Sequence, residues 1–87
     1  MAHSMKNGMS WTRRCKDGVK REVRVWVTAQ YIKWQFKRAD EEHWDYDSPP
    51  TPEDWDALEE ILERRVKRGR GIAMLENARR LRGKARG

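Results

Sequence analysis

Residues 19–27 have the sequence VKREVRVWV, in which apolar and polar side chains alternate. Successive side chains of a β-strand point to opposite faces of the sheet, so this alternation predicts a strand with one apolar and one polar face. The apolar face is expected to carry Val19, Val23, Val25 and Val27. The polar face is expected to carry Lys20, Glu22, Arg24 and Trp26. Arg21 is the one departure from the pattern, near the start of the strand.

The strand before this one is expected to pair with it through a hairpin. Residues 16–18 form a short loop that ends in Gly18, and glycine accepts the left-handed backbone that a three-residue hairpin loop needs at its last position. This loop places Cys15 opposite Val19 and Trp11 opposite Val23. An antiparallel hairpin over residues 11–27 follows.

The strand after it, residues 31–38, alternates in the same way, with Ile32, Trp34 and Phe36 opposed to Tyr31, Lys33, Gln35 and Lys37. A tight turn at residues 29–30 pairs Thr28 with Tyr31, although Ala-Gln is a poor dipeptide for such a turn. The same register continues through Val25 with Trp34, Val23 with Phe36 and Glu22 with Lys37. Apolar side chains meet on one face and opposite charges on the other, which supports the register. Residues 42–46 are expected to add a short strand that places Trp44 and Tyr46 on the apolar face.

The strongest local helix signal lies at residues 51–54, which are Thr-Pro-Glu-Asp. Thr51 can cap a helix, Pro52 suits the first helical position, and Asp54 completes an acidic variant of the capping box. An apolar stripe at helical spacing follows, formed by Trp55, Leu58, Ile61, Leu62 and Val66. Glu60 with Arg64 and Glu63 with Lys67 are expected i,i+4 ion pairs, and Gly69 is expected to end the helix.

The predicted fold class is α+β: an antiparallel meander of three or four strands with this amphipathic helix packed on one face. Residues 72–82 predict a second, short helix with Met74, Leu75, Ala78 and Leu81 on one side. Residues 1–9 are expected to be an unstructured arm or a remnant of an expression vector. Residues 10–68 are expected to form one small domain, and residues 69–87 a basic helix and tail that is disordered after residue 82.

Composition excludes several classes of protein. The single cysteine, Cys15, excludes an internal disulfide and favours a reducing, intracellular setting. No apolar run approaches the roughly 20 residues of a membrane span, so no membrane role is expected. The sequence contains no phosphate-binding glycine loop, nucleophile elbow or zinc-protease motif, so the protein is not expected to be an enzyme. His43 with its acidic neighbours does not make a metal site, and no cofactor is expected.

The charges fall into three blocks. Residues 1–38 carry ten Lys or Arg residues against two acids, residues 39–63 carry eleven acids and no Lys or Arg, and residues 64–87 carry ten Lys or Arg residues against one acid. The net charge of +6 therefore understates two strongly basic ends. Basic surfaces of this density most often bind phosphates, so DNA or RNA is the expected partner.

The polar face of the sheet is the first candidate interface, because cations alternate there with flat rings that can stack on bases. Its candidate residues are Lys20, Arg24, Trp26, Tyr31, Lys33 and Lys37. Two other interpretations remain open: Trp26 and Lys33 form an internal cation–π contact, or the second helix covers Trp26 and Tyr31.

The second candidate interface is the arginine-rich C-terminal part, with Arg68, Arg70, Arg79, Arg80 and Arg82 as phosphate contacts. The segment 67–71 resembles the Arg-Gly-Arg core of AT-hook segments, which bind the minor groove, except that Gly71 stands where those have proline. Gly69 has a simpler interpretation as a helix stop.

The acidic block leaves an alternative function open. Acids in the first turns of a helix complement its dipole, which explains part of the block. The remaining acids, residues 40–47, are a solvated loop, a shield for the basic ends or a contact for a basic partner. The alternative is therefore a protein-interaction module, with a basic partner or a second copy of the chain, and without a nucleic-acid role.

Overall fold

The computed structural model describes residues 8–86, and these form three strands and two helices, an α+β fold as predicted. The strands are β1 (Gly8–Arg14), β2 (Lys20–Val27) and β3 (Ile32–Arg38), and the helices are α1 (Pro52–Lys67) and α2 (Ile72–Arg86). The described residues divide into two compact units, residues 8–26 with 33–49 and residues 27–32 with 50–86. Between residues 8 and 86, neither helix has the length and apolarity that crossing a bilayer demands.

The first hairpin has the predicted register. Strands β1 and β2 are antiparallel with Trp11 opposite Val23, and the Cys15 amide donates to the Val19 carbonyl at 2.9 Å. Gly18 has the positive φ, 86°, for which the loop was expected to need glycine. Strand β1 starts at Gly8, so residues 8 and 9, which were expected to belong to the unstructured arm, lie in the sheet. Residues 1–7 of the expected arm lie outside the described part. The physical reason is Met9, which is only 4% exposed and continues the apolar face.

The second hairpin places β3 on the other side of β2, giving the strand order β1-β2-β3. The Thr28 amide donates to the Tyr31 carbonyl at 2.9 Å, and the Ala39 amide donates to the Lys20 carbonyl at 2.8 Å. Both bonds fit the predicted register. The turn forms despite its Ala-Gln dipeptide because the Thr28 hydroxyl accepts hydrogen bonds from the amides of Gln30 and Tyr31, at 3.3 and 3.0 Å.

The apolar face of the sheet is buried as the alternation predicted. Val23 and Val25 are fully buried, and Phe36 stacks on Trp34 with ring centroids 6.0 Å apart. Arg21, the departure from the pattern, lies on this face with its guanidinium 4.0 Å from the centre of the Phe36 ring. Its long apolar stem and planar head therefore cover an aromatic ring at the border of the core.

The expected fourth strand is reduced to one bridge, between Phe36 and Asp45. The expectation that Trp44 and Tyr46 lie on the apolar face is wrong: Tyr46 is 61% exposed, and Trp44 contacts Arg24, a residue of the polar face. Since Asp45 is the residue opposite Phe36, its two neighbours point the other way. The Asp45 carboxylate also accepts the amide of Asp47 at 2.9 Å, which turns the chain away from β3.

Helix α1 begins as predicted. The Asp54 amide donates to the Thr51 hydroxyl at 3.2 Å, and the Thr51 amide donates to the Asp54 carboxylate at 2.8 Å, which completes the capping box. Trp55, Leu58 and Leu62 of the stripe are buried. Gly69, with φ of 87°, follows the last turn, and its amide donates to the Val66 carbonyl at 2.8 Å.

Helix α2 packs against α1 and buries Leu75 and Ala78 from its predicted apolar side. It continues to Arg86, so the expectation of a disordered segment after residue 82 is wrong for residues 83–86. Lys84, Ala85 and Arg86 are good helix formers, which explains the longer helix. Residue 87 lies outside the described part.

Candidate nucleic-acid interface

The polar face of the sheet brings together cations from all three strands. Alternation along the strands and the β1–β2 register assign the residues to this face. From β1 to β3 they are Ser10, Thr12, Arg14, Lys20, Glu22, Arg24, Trp26, Lys33, Gln35 and Lys37. Among these strand residues Glu22 is the one carboxylate against five cations, so the polar face is strongly basic.

Trp26 and Lys33 are neighbours on the polar face, as the predicted register requires. The Lys33 ammonium lies 5.7 Å from the centre of the Trp26 ring, within the range of a cation–π contact. Trp26 is half-buried and Lys33 is exposed. The cation–π interpretation of this pair is therefore confirmed as a contact, and it leaves part of the Trp26 ring open to solvent.

Arg24 lies at the centre of the polar face and contacts residues on two sides. Its Nε atom is 3.6 Å from the Glu22 carboxylate, and its guanidinium is 4.2 Å from the centre of the half-buried Trp44 ring. Trp44 thus joins the polar face, a role that the sequence did not indicate. The bridge between Phe36 and Asp45 sets which residues of this segment point to the polar face.

One end of the polar face contains a shallow depression of about 380 Å³. It is lined by Thr12, Lys20, Glu22, Lys37 and Ala39. Within residues 8–86, neither Lys20 nor Lys37 makes an ion pair. The depression therefore combines two ammonium groups that no acid of the described residues pairs with and the hydroxyl of the exposed Thr12.

Tyr31, the remaining sheet residue of the predicted interface, belongs to the second compact unit. The Tyr31 amide donates to the Thr28 hydroxyl, and that hydroxyl donates to the Tyr31 carbonyl. The residue is 58% exposed. In its own unit the ring is therefore available to a ligand.

Three of the predicted C-terminal phosphate contacts are engaged inside the second unit. Arg79 binds Glu59 at 3.3 Å and Glu63 at 2.7 Å, so Glu63 pairs with Arg79 rather than with Lys67 as predicted. Arg82, whose side chain is 12% exposed, binds Glu59 and also Asp56 at 2.9 Å. Burial opposes the charge of Arg82, but the hydrogen bonds to Glu59 and Asp56 raise its pKa.

Arg80 is engaged by hydrogen bonds to uncharged groups. Its guanidinium donates to the Ala29 carbonyl and, at 3.1 Å, to the amide oxygen of Asn77. Arg68 and Arg70, by contrast, are exposed between the helices and make no ion pair with any residue from 8 to 86. Of the predicted arginines, these two are the ones that no acid within residues 8–86 engages.

Part of the acidic loop is used locally. Arg38 binds the Asp17 carboxylate at 2.6 Å and the Asp40 carboxylate at 3.0 Å. The hydrogen bond from Arg38, together with the Val19 amide, holds the pKa of Asp17 below its usual range. Hydrogen bonding to Arg38 also lowers the pKa of Asp40.

The chemistry of the described residues is that of a binding surface. Over residues 8–86 no three His, Cys, Asp or Glu side chains lie close enough together to hold a metal ion. Cys15 is a half-buried free thiol. Comparisons of the chain with models of known protein families, with curated proteins and with solved structures give no significant match.

Proposed function

We propose that this chain is a small nucleic-acid-binding accessory module that binds DNA or RNA with the polar face of its sheet. The observation that supports the proposal is the composition of this surface: five cations, a single carboxylate and two half-buried tryptophan rings. Cations attract the phosphate backbone, and exposed aromatic rings stack on bases or cover sugars.

The dimensions of the polar face suit a polymer. Trp26 lies six positions after Lys20 in β2, which corresponds to about 20 Å at about 3.4 Å for each step along the strand. The length is that of several nucleotides, so more than one phosphate and more than one base can contact the face together. Arg68 and Arg70 add exposed cations in the second unit.

The alternative, a protein-interaction module in which the acidic middle meets a basic partner or a second copy, has less support. Three acids of that block, Asp56, Glu59 and Glu63, already face Arg79 and Arg82. A fourth acid of the block, Asp40, binds Arg38. Fewer carboxylates are therefore free for a partner than the sequence indicates.

Charge reversal on the polar face tests the proposal. We expect the double variant Arg24→Glu, Lys33→Glu to bind a labelled oligonucleotide at least tenfold more weakly in fluorescence anisotropy, because two attractions to phosphate become repulsions. Its unfolding temperature is expected to change little, since substitutions of partly exposed residues usually have small effects.

The matched control is Lys16→Glu, Lys84→Glu, which reverses two exposed cations that are not strand residues of the polar face and changes the net charge equally. The control is expected to lose much less affinity. Equal loss in both double variants would show that net charge alone drives binding. Failure of the unaltered chain to bind any oligonucleotide at low salt would refute the proposal outright.

A further inference from the structure

We infer that the polar face binds single-stranded nucleic acid in preference to duplex, and that the depression between Lys20 and Lys37 holds one backbone phosphate of that strand. The inference rests on the proposed function and adds the class of ligand and the position of one contact. It is carried by two features of the face, its tryptophan rings and the depression.

The tryptophan rings favour a single strand. Trp26 and Trp44 are both half-buried rather than fully buried. The bases of a duplex are already stacked on one another and present only their edges, whereas those of a single strand are free to stack on a protein ring.

A cation also lies over each ring, Lys33 at 5.7 Å from the centre of the Trp26 ring and Arg24 at 4.2 Å from the centre of the Trp44 ring. A base stacked on either ring therefore brings its own phosphate close to a positive charge.

The depression favours a phosphate. Lys20 and Lys37 line it without an ion pair inside residues 8–86, and Thr12 adds a hydroxyl. Phosphate oxygens accept hydrogen bonds from ammonium and hydroxyl groups, and they do so most strongly from charged donors. At about 380 Å³ the depression is roomy enough for a phosphate group with bound water.

Glu22 is the one group of the lining that opposes an anion. Its carboxylate lies 3.6 Å from Arg24, which offsets part of its charge, but its repulsion of a phosphate remains. Removal of this negative charge is expected to raise the affinity rather than lower it: Glu22→Gln is expected to strengthen single-strand binding by severalfold. A variant that merely damages the sheet would weaken it.

The ligand class is tested by titrating the full chain with an oligothymidylate of about 12 nucleotides and with a duplex of the same length. We expect tighter binding of the single strand, with quenching of tryptophan fluorescence. Trp26→Ala is expected to weaken single-strand binding at least about fivefold and to leave duplex binding nearly unchanged. Duplex binding that is as tight, and equally sensitive to Trp26→Ala, would overturn the single-strand inference while the proposed function stands.

The phosphate position is tested by the salt dependence of binding between about 50 and 200 mM. Lys37→Gln is expected to reduce the slope of log K against log salt by about 0.7, the value for one phosphate contact on a single strand. Lys16→Gln removes the same charge from the hairpin loop and is expected to leave the slope unchanged.

Thermal melts of each variant identify any loss of folding. Equal slopes in the two lysine variants, or weaker binding by Glu22→Gln with its melt unchanged, would overturn the assignment of the depression. Absence of binding to both oligonucleotides would instead refute the proposed function itself.

Discussion

Arg38 shows how one side chain can join two distant parts of the sequence. Its guanidinium binds Asp17, in the loop between β1 and β2, and Asp40, just after β3. The Ala39–Lys20 hydrogen bond explains the meeting, because it brings the end of β3 beside the start of β2. The position of each residue was predictable from the strand register, but the ion pairs depend on rotamers that no sequence pattern specifies.

The pKa values of Asp17 and Asp40 are expected to rise toward about 3.9, the ordinary value for aspartate, in Arg38→Gln. Arg38 lowers both pKa values in the folded chain, so its contribution to stability is present above the ordinary pKa and is lost as the pH falls through the lowered values. An acid titration followed by the carboxyl carbon shifts measures the change.

Asp45 provides the internal control for this titration. The Ser48 hydroxyl and nearby amides lower its pKa, and Arg38 is not among the causes. Its pKa is therefore expected to stay where it is in Arg38→Gln. If the titration of Asp17 also stays unchanged in that variant, the ion pair does not form in solution.

At the scale of elements, the sequence predicted the helix and the hairpins that have local sequence signals. The capping box at Thr51 and the stripe that includes Leu58 and Leu62 determine α1 within a few residues of chain. The alternation along β2 and β3 determines both hairpins and their registers. The helix depends on contacts a few residues apart, and the register of each hairpin follows from its short loop, so propensity, periodicity and the position of the loop are sufficient.

The errors at this scale occurred where a single long-range contact decides the outcome. Trp44 was placed on the wrong face because only one bridge, between Phe36 and Asp45, sets the register of its segment. The acidic partners of Arg79 and Arg82 lie 16 to 26 residues away on α1, so they depend on how the helices pack. A pattern within one helix contains no information on such contacts.

Trp55→Ala is expected to lower the free energy of unfolding by about 3–5 kcal/mol, as for other buried large aromatic residues. Trp55 is 9% exposed and heads the buried side of α1. Urea denaturation followed by far-ultraviolet circular dichroism measures the change. Ile72→Ala, at a residue that is 56% exposed, serves as the control with a small expected effect. A loss below about 1 kcal/mol in Trp55→Ala would contradict the buried position of the ring.

For the molecule as a whole, the three charge blocks are not independent. Acids of the middle block on α1 bind cations of the last block on α2, as the contacts of Glu59 and Glu63 with Arg79 show. Among residues 8–86, the cations that make no ion pair with an acid of this range include Lys37 on the polar face and Arg68 and Arg70 between the helices. The positive electrostatic field that attracts an anionic polymer is therefore more localised than the three charge blocks of the sequence indicate.

This division of the cations predicts opposite effects for two double variants. Arg68→Gln, Arg70→Gln is expected to reduce the salt slope of single-strand binding, by up to about 0.7 for each lost phosphate contact, without a change in unfolding temperature. Arg79→Gln, Arg82→Gln is expected to lower the unfolding temperature, because Glu59 and Asp56 lose their partners, and to leave the slope unchanged.

Salt titrations by fluorescence anisotropy and thermal melts by circular dichroism measure the two quantities on the same samples. A reduced slope in Arg79→Gln, Arg82→Gln with an unaltered melt would mean that α2 presents these cations to the ligand.

The loop between the helices also has a stereochemical consequence. Gly69 has a φ of 87°, is exposed, and has open space where a side chain would begin. L-Alanine there would strain the backbone by about 1–2 kcal/mol. D-Alanine, introduced by chemical synthesis, prefers this φ and would stabilise the fold by about 0.4–1 kcal/mol through the lower entropy of its unfolded chain. At this position the protein would thus favour the mirror image of a natural amino acid.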